Sequence, residues 1–397
     1  MHSKEIQTAE KAMLCPTYAR YPLAIARASG STLISPEGKE YVDLLAGIAV
    51  CNLGHSHPEL VETICAQAAK LIHVSNLFYQ EEQVTLAERL LQTTHMERVF
   101  FCNSGAEANE GAIKLARRYM REVRKEERFE IVTLSGSFHG RTLATLTATG
   151  QDKIKTGFGP LPDRFHTVPF GDLAAMDAAL GDQTAAVLVE MIQGEGGVRP
   201  LPESYVRAIA ELCATRGVLF MVDEIQTGVG RTGKFWAHQH LDLLPDIITV
   251  AKGLAGGLPM GALLCSQEVA QGFPAGSHGT TFGGNALVCA VAAKVIEIIE
   301  RDALCARAAA LGQWFKGRLD ALHTKYPAQI AEIRVHGLMI GIELRFPGAT
   351  LWEALLERGF VLNLTQDVVL RLLPPLVITE KELEDFVQAL DQELSRC

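Results

Sequence analysis

The feature that most constrains the fold is a repeated order of short apolar stretch, small-residue or polar turn, and helical pattern. Five apolar stretches are predicted strands, at 99–102, 129–134, 185–190, 218–223 and 247–250. Strands that alternate with helices need crossover connections, which favour a mainly parallel sheet. Ligands bind such sheets beyond the carboxyl ends of the strands. We therefore predict an α/β fold whose functional residues follow strands.

Length and a change of pattern divide the chain into three predicted parts. The 397 residues exceed one typical core. Residues 51–290 carry the strand–helix alternation and predict a large domain. From residue 291 a long helical pattern, short strands and a closing helix predict a smaller α+β domain at 291–397, with residues 1–50 as an arm packing against it. The helical pattern runs toward Leu322, the strands lie at 337–344 and 368–373, and the last helix starts near Glu380.

Composition excludes several classes of protein. The net charge of −9 argues against a general nucleic-acid binder. No apolar run approaches the roughly 18 residues of a membrane span, and the first residues lack a signal-peptide core. The 9 cysteines form no C-x-x-C pair, which favours reduced thiols in the cytoplasm. The pairs His55/His57 and His238/His240 lack partners at metal-ligand spacing, so no metal site is predicted.

The stretch 103–109 (NSGAEAN) follows a predicted strand and begins a predicted helix. At such a point the free backbone N–H groups and the helix dipole favour an anion such as phosphate. The alternative is an ordinary helix start, with Asn103 or Ser104 as its cap.

The stretch 218–228 is an apolar strand that ends in two acids, Asp223 and Glu224. Successive strand side chains point to opposite faces, so only one of the two carboxylates is expected to face a given pocket. A carboxylate at the end of a buried strand can keep a pyridine nitrogen protonated. The alternatives are a solvated strand end or a metal ligand.

The stretch 246–254 places Lys252 directly after an apolar strand. Partial desolvation there would lower the pKa of the amine and make it nucleophilic toward an aldehyde. The alternative is a lysine that extends its amine to solvent. The anion site, the acid and the amine follow strands of one predicted sheet, and this joint arrangement favours a common site over three coincidences.

These residues belong to a longer series of motifs, through which the chain resembles the class III, or ornithine-type, pyridoxal-phosphate-dependent aminotransferases. The resemblance runs from 38–43 to 374–376 and implies the fold-type-I (aspartate-aminotransferase-like) architecture. The motifs are 104–109 (SGAEAN), 138–142 (FHGRT), 193–197 (QGEGG), 223–228 (DEIQTG), Lys252-Gly253 and 279–285 (GTTFGGN).

The resemblance implies how pyridoxal 5'-phosphate is held. Lys252 would bind the cofactor's aldehyde and later move the proton as general acid and base, and Asp223 would pair with the pyridinium. The other implied cofactor contacts are Ser104, Gly105 and Ala106 at the phosphate, Phe138 stacked on the ring, Gln226 at the phenolic oxygen, and Thr281 at the phosphate of a neighbouring subunit. The active sites of a homodimer would thus be shared.

The resemblance also implies the substrate contacts. Arg141 would bind the α-carboxylate of the donor, with Thr280 of the partner beside it, and Arg371 would bind 2-oxoglutarate or glutamate. Glu195 would neutralise Arg371 while the first substrate is bound, because an unpaired buried arginine is costly. Phe138 as a core aromatic, Arg141 in a structural salt bridge and Glu195 as a turn carboxylate are the alternatives.

Within the family the chain looks most like the branch that transfers the amine of N2-acetylornithine to 2-oxoglutarate, in arginine biosynthesis. Residues 18–23 (YARYPL) place Arg20 where ornithine-specific members carry a tyrosine for the free α-amine. An N-acylated donor is therefore favoured. Other donors (ornithine, 4-aminobutyrate or N-succinyl-diaminopimelate), an aminomutase and a non-catalytic cofactor-binding protein are the alternatives.

Overall fold

A computed structural model of the chain describes residues 1–396. Its helices are α1 Ser3–Met13, α2 Ala46–Ala49, α3 Pro58–Lys70, α4 Glu81–Gln92, α5 Gly105–Arg118, α6 Leu143–Ala148, α7 Leu173–Ala179, α8 Glu203–Arg216, α9 Gln267–Ala270, α10 Ala286–Arg301, α11 Leu304–Lys325, α12 Ala349–Glu357 and α13 Glu380–Leu394. Its strands are β1 Arg27–Ser29, β2 Thr32–Ile34, β3 Glu40–Asp43, β4 Arg98–Cys102, β5 Glu130–Leu134, β6 Phe165–Val168, β7 Thr184–Val189, β8 Ile192–Gln193, β9 Arg199–Pro200, β10 Leu219–Asp223, β11 Ile247–Val250, β12 Gly261–Cys265, β13 Ile330–His336, β14 Met339–Leu344, β15 Phe360–Val361, β16 Asn363–Thr365 and β17 Val369–Leu372.

The centre of the molecule is a seven-stranded sheet with the order β4-β12-β11-β10-β7-β5-β6. Only β12 runs antiparallel to its two neighbours, whereas the other paired strands are parallel. The α/β prediction is confirmed, and the five predicted strands correspond to β4, β5, β7, β10 and β11. The sequence analysis did not identify β6 and β12.

The central strands are apolar along their whole length because both faces of the sheet are covered. Every residue of β7, β10 and β11 is buried. On β7, Val187 and Val189 pack into one apolar cluster, whereas Ala186 and Leu188 pack into another. This alternation places one cluster on each face, as expected for a parallel sheet between helices. Buried strands of this kind leave functional groups to the strand ends.

The C-terminal part differs from the prediction in two places. The long helical pattern consists of two helices, α10 and α11, separated at Asp302 and Ala303. Ala303 has a φ of 49°, and this left-handed backbone conformation interrupts the helix between α10 and α11. The predicted strand at 337–344 corresponds to β14, and its partner β13 was not predicted. Together with β17 and β16 they form an antiparallel sheet in the order β13-β14-β17-β16.

The N-terminal segment joins the C-terminal part through a small sheet, in which β3 pairs with β15. Arg231 links further segments, because its buried guanidinium donates to Asn52 Oδ1 at 2.6 Å and to the carbonyl oxygens of Leu338 and Pro374. The proposed boundary at residue 290 lies within α10, and the division into domains remains a prediction. In residues 1–396, no helix combines the length and apolar character needed to cross a membrane.

Two glycines of α11 give a test of this packing. A Cβ added at Gly312 would lie 2.2 Å from the carbonyl oxygen of Gly337, whereas one added at Gly317 would meet nothing within 4 Å. We expect Gly312→Ala to lower the free energy of unfolding by about 1–3 kcal/mol. Gly317→Ala, the matched control, should raise it by up to about 1 kcal/mol, since alanine favours helix. Denaturant titration measures both, and equal midpoints would contradict the packing described.

Candidate active site

A cavity of about 390 Å³ lies where the central strands end. Asp223 is the last residue of β10, Glu190 follows β7, and Lys252 comes two residues after β11. The predicted site residues in its wall are Ser104, Gly105, Ala106, Phe138, Arg141, Glu195, Asp223, Gln226 and Lys252. The structure therefore brings together groups that are up to about 150 residues apart in sequence, as expected at this edge of an α/β sheet.

Lys252 provides an amine in the cavity wall. Its backbone adopts a left-handed conformation with φ of 48°, which is unusual for a residue with a side chain and is found at functional sites. Burial lowers the pKa of the amine to about 8, although the nearby Glu195 opposes this shift. The amine thus has a larger uncharged fraction at neutral pH than an ordinary lysine, and can attack a carbonyl group.

Asp223 is held in place by three donors. Its Oδ2 accepts from Asn109 Nδ2 at 2.7 Å and from His139 Nδ1 at 2.9 Å, and its Oδ1 accepts from the Ile225 N–H at 3.0 Å. Asn109 is oriented in turn by Thr249, whose hydroxyl donates to Asn109 Oδ1 at 2.7 Å. Only 3% of Asp223 is exposed. The site therefore presents a fixed, buried carboxyl group to whatever occupies the cavity.

Glu224 lies away from this cavity, as the alternation of strand side chains predicted. Its Oε1 accepts from the backbone N–H and from Nδ1 of His238, both at 2.9 Å. Its Oε2 accepts from the Thr227 hydroxyl. Burial raises the pKa of Glu224, but the bonds to His238 outweigh it and leave the pKa below its usual value. Glu224 is a buried structural carboxylate.

The start of α5 forms another part of the wall. Ser104 is its N-cap and accepts from the Glu107 N–H at 3.2 Å, as one interpretation of the sequence proposed. Gly105 and Ala106 line the cavity in the first turn, where helix N–H groups lack intrahelical acceptors. A Cβ at Gly105 would lie 2.8 Å from Ile225. The cap and an anion site are compatible, because Ser104 bonds to the N–H of Glu107 and not to those of Gly105 and Ala106.

Phe138 and Arg141 lie in one turn beside the cavity. The guanidinium carbon of Arg141 is 5.5 Å from the centre of the Phe138 ring. Arg141 is exposed, and within residues 1–396 no carboxylate pairs with it. The structure thus gives no support to the structural salt bridge, and the guanidinium is free to bind an anionic group.

Arg371 lies behind the cavity wall, with only 1% of its surface exposed. It donates to Glu195 Oε1 at 2.6 Å, to Asn363 Oδ1 at 2.7 Å and to Gln226 Oε1 at 3.4 Å. Burial would raise the pKa of Glu195, but the Arg371 guanidinium outweighs it and holds the pKa below its usual value. A buried cation next to the cavity is thereby neutralised by a carboxylate that is itself in the cavity wall.

Besides Arg371, three residues from the sequence analysis lie outside this cavity. Thr281 is exposed, and Thr280 Oγ1 accepts from Asn103 Nδ2 at 3.0 Å. Arg20 pairs with Glu10 at 2.5 Å and does not line the cavity. The residues predicted to bind the substrate carboxylates and the cofactor ring converge, whereas Thr280, Thr281 and Arg20 do not reach them within one chain.

The sequence analysis missed three residues that build the site: Asn109, His139 and Glu190. Asn109 and His139 stand inside motifs that were recognised, but nothing in the sequence reveals that both bind Asp223. Glu190 carried a usable signal, since it is an acid at the end of a predicted apolar strand. That signal is the same as the one that identified Asp223.

The comparisons with known proteins agree with this geometry. Residues 15–394 match the family described as aminotransferase class-III. The chain belongs to the class III aminotransferases. Among curated relatives, the acetylornithine aminotransferase of Methanothermobacter thermautotrophicus is 46% identical over 395 residues, with 100% of each chain covered. The acetylornithine aminotransferase of Methanocaldococcus jannaschii is 44% identical over 383 residues, with 96% of each chain covered.

Solved structures of other aminotransferases share the fold. The ornithine aminotransferase of Toxoplasma gondii superposes with a TM-score of 0.96 at 32% identity, covering 100% of this chain and 96% of that one. The acetylornithine aminotransferase of Elizabethkingia anophelis gives 0.89 at 32% identity, with 100% of both chains covered. The predicted fold-type-I architecture is confirmed.

Class III aminotransferases use pyridoxal 5'-phosphate, and the residues of this aminotransferase fit that cofactor. An aldehyde needs an amine of lowered pKa, which Lys252 provides. A pyridinium needs a fixed, buried carboxylate, which Asp223 provides. A phosphate needs free N–H groups, which the first turn of α5 provides. The cavity therefore has a chemical complement for each reactive part of the cofactor.

The lowered pKa of Lys252 predicts how the cofactor-free protein reacts with aldehydes. Reductive methylation of Lys252 by formaldehyde should increase steeply through a pH of about 8, because only the uncharged amine attacks. N-acetyl-lysine amide, whose amine has a pKa of about 10.4, serves as the control, and its reactivity should continue to increase well above a pH of about 8. Peptide mass spectrometry after brief labelling gives both curves. Coincident curves for Lys252 and the control would contradict the desolvated site.

Proposed function

We propose that this aminotransferase transfers the δ-amino group of N2-acetylornithine to 2-oxoglutarate, yielding N-acetylglutamate 5-semialdehyde and glutamate in arginine biosynthesis. The observation that carries the proposal is the convergence of Lys252, Asp223 and the Glu195–Arg371 pair on one cavity. The relatives named acetylornithine aminotransferase, at 43–47% identity and nearly full length, support this donor.

The residues of the cavity divide the chemistry between them. Pyridoxal 5'-phosphate, when bound, supplies an aldehyde that takes up the amino group and a ring that withdraws electrons. Asp223 would keep the ring nitrogen protonated, and Lys252 would hold the aldehyde and serve as the general acid and base that moves a proton. Phe138 would stack on the ring and Gln226 would bind its phenolic oxygen. Ser104, Gly105 and Ala106 would hold the phosphate at the start of α5.

Glu195 and Arg371 allow one site to accept two unlike substrates. The donor brings an ω-amine beside neutral atoms, and at that stage the Glu195–Arg371 pair leaves no unbalanced charge. Glutamate and 2-oxoglutarate bring an α-carboxylate to the same place. Movement of Glu195 then frees Arg371 for that carboxylate. The ion pair between Arg371 and Glu195 is lost, and one between Arg371 and the substrate carboxylate replaces it.

Arg141 and the N-terminal arm favour an acylated donor. Arg141 has no carboxylate partner within the described residues and is available for the α-carboxylate of acetylornithine. Arg20 occupies the position at which ornithine-specific members use a tyrosine for a free α-amine, and it is engaged with Glu10. An acetyl group removes the charge of that amine, so no acidic or phenolic partner is needed for it.

We also propose that the enzyme is a cytoplasmic homodimer with shared active sites. Thr281 is exposed and outside its own cavity, as a residue serving a neighbouring subunit must be. Beside it lies an exposed apolar surface formed by Leu77, Phe78, Tyr79 and Phe282, which are 86%, 63%, 108% and 62% exposed. A second copy that covers these side chains would remove them from water.

The proposed reaction is tested with four donors, each with 2-oxoglutarate: N2-acetylornithine, ornithine, 4-aminobutyrate and N-succinyl-diaminopimelate. We expect the highest kcat/KM for acetylornithine and no sustained turnover without 2-oxoglutarate. Lys252→Ala should abolish turnover while the thermal unfolding profile remains cooperative. If kcat/KM is highest for ornithine, the substrate named for the T. gondii enzyme, the proposal that acetylornithine is the donor is refuted. Turnover without 2-oxoglutarate would favour an aminomutase.

The Glu195–Arg371 pair predicts opposite effects on the two half-reactions. Arg371→Ala should reduce kcat/KM for glutamate at least about 30-fold, which corresponds to a loss of roughly 2 kcal/mol of binding free energy. The same variant should reduce kcat/KM for acetylornithine by a smaller factor. Glu195→Gln, the control, should reduce kcat/KM for acetylornithine more, because Arg371 is then unpaired beside that donor. Single-turnover measurements of each half-reaction separate these effects. Equal losses in both half-reactions would remove the proposed switch.

A shared site predicts complementation between two inactive variants. Lys252→Ala removes the amine, and Thr281→Glu places a negative charge where the partner's phosphate is expected to bind. In a mixed dimer, one site would contain both changes and the other would contain neither. Unfolding and refolding the variants together should therefore restore activity that neither has alone. A mixture that stays inactive, although mixed dimers are detected by mass, would contradict the role of Thr281.

A further inference from the structure

We propose that Glu190 is a positioning residue that ties the turn carrying Phe138 and Arg141 to the turn carrying Glu195. The proposal rests on the function proposed above and extends it, since none of the roles assigned so far uses Glu190. In this role, the buried side chain of Glu190 would align both turns that are proposed to recognise the substrates.

Glu190 lies next to Asp223 at the edge of the central sheet. In the pairing of β7 with β10, Val189 is opposite Val222, so the residues that follow each strand are neighbours. Glu190 is only 6% exposed and lines the cavity. A carboxyl group so well buried needs hydrogen-bond partners to offset its lost hydration.

The partners of Glu190 are backbone groups from two different turns. Its Oε2 accepts from the Phe138 N–H at 2.9 Å, 52 residues away in sequence. Its Oε1 accepts from the Gly194 N–H at 3.4 Å, one residue before Glu195. One side chain thus contacts both the turn at 135–141 and the turn at 193–197.

The two turns are in direct contact. A Cβ at Gly196 would lie 2.8 Å from the carbonyl oxygen of Gly136. Gln193 Nε2 also donates to the Ser135 carbonyl at 2.9 Å. Glu190 therefore bonds to two turns that also contact each other, and release of the anchor is expected to affect both turns.

The charge state of Glu190 is not what holds the turns. Burial raises its pKa to about 7, with His139 opposing and Asp223 reinforcing the shift. Lys252 also lies within electrostatic range of Glu190. A carboxyl oxygen accepts a hydrogen bond from a backbone N–H in either protonation state. A glutamine at this position keeps one acceptor oxygen and is therefore the conservative replacement.

Hydrogen exchange of the holoenzyme tests the anchor without using activity. In Glu190→Ala the amides in 135–141 and 193–197 should exchange about fivefold faster, as expected for the loss of a hydrogen bond worth about 1 kcal/mol. Glu190→Gln should retain slow exchange at Phe138. Glu190→Asp, one methylene shorter, should behave like the alanine variant and serves as a further test if that variant does not fold. Unchanged exchange in both turns would overturn the proposal.

Kinetics give a second, separate readout. In Glu190→Ala, KM should rise for the donor, through Arg141, and for 2-oxoglutarate, through Glu195, with a smaller change in kcat. Glu190→Gln, whose one acceptor oxygen is expected at the Phe138 N–H, should restore the KM for the donor. A rise in only one KM in the alanine variant, or an equal loss of kcat in the alanine and glutamine variants, would overturn the positioning role; the latter would indicate proton transfer by Glu190. If the wild-type enzyme does not use acetylornithine, the proposed function fails, but the exchange experiment still decides the role of Glu190.

Discussion

The site depends on keeping an amine and a carboxylate close together in a buried cavity without allowing them to neutralise each other. Asp223 takes its three hydrogen bonds from Asn109, His139 and the Ile225 N–H. No hydrogen bond joins the Lys252 amine to any acceptor in residues 1–396. The carboxylate is thus stabilised by other donors, while the amine remains desolvated and reactive.

A similar balance governs Arg371. A fully buried guanidinium is costly unless it is paired and hydrogen-bonded. Asn363 satisfies part of that need, and Glu195 satisfies another part through an ion pair on the side of the cavity. In the proposed exchange of Glu195 for a substrate carboxylate, the bonds to Asn363 and Gln226 would hold the guanidinium in its orientation, so that one carboxylate side chain would have to move rather than the arginine.

Much of the chemistry could be predicted from sequence because it is local to strand ends. Asp223 and Lys252 each follow an apolar run, and the parallel arrangement brings such ends to one edge. The strand β12 was missed because its place in the sheet depends on pairing with β4, which is distant in sequence, as well as with β11, which precedes it in the chain. The separation of α10 from α11 was missed because a single left-handed alanine, Ala303, has no signature in the periodicity. The partners of Asp223 and Glu190 are contacts between segments, which no local pattern records.

This division explains why the sequence specifies the reaction more firmly than the donor. The groups that handle the cofactor follow strands of the central sheet, whose register is fixed by buried apolar residues on both faces. The groups that distinguish donors lie on turns and on the N-terminal arm, and α1 of that arm buries none of its residues within the chain. In the proposed homodimer, their positions would be set by packing between turns, as at Glu190, and by a surface that a second copy would cover. Donor selectivity would then depend on the assembled enzyme, whereas the buried amine and carboxylate are already in place in the single chain.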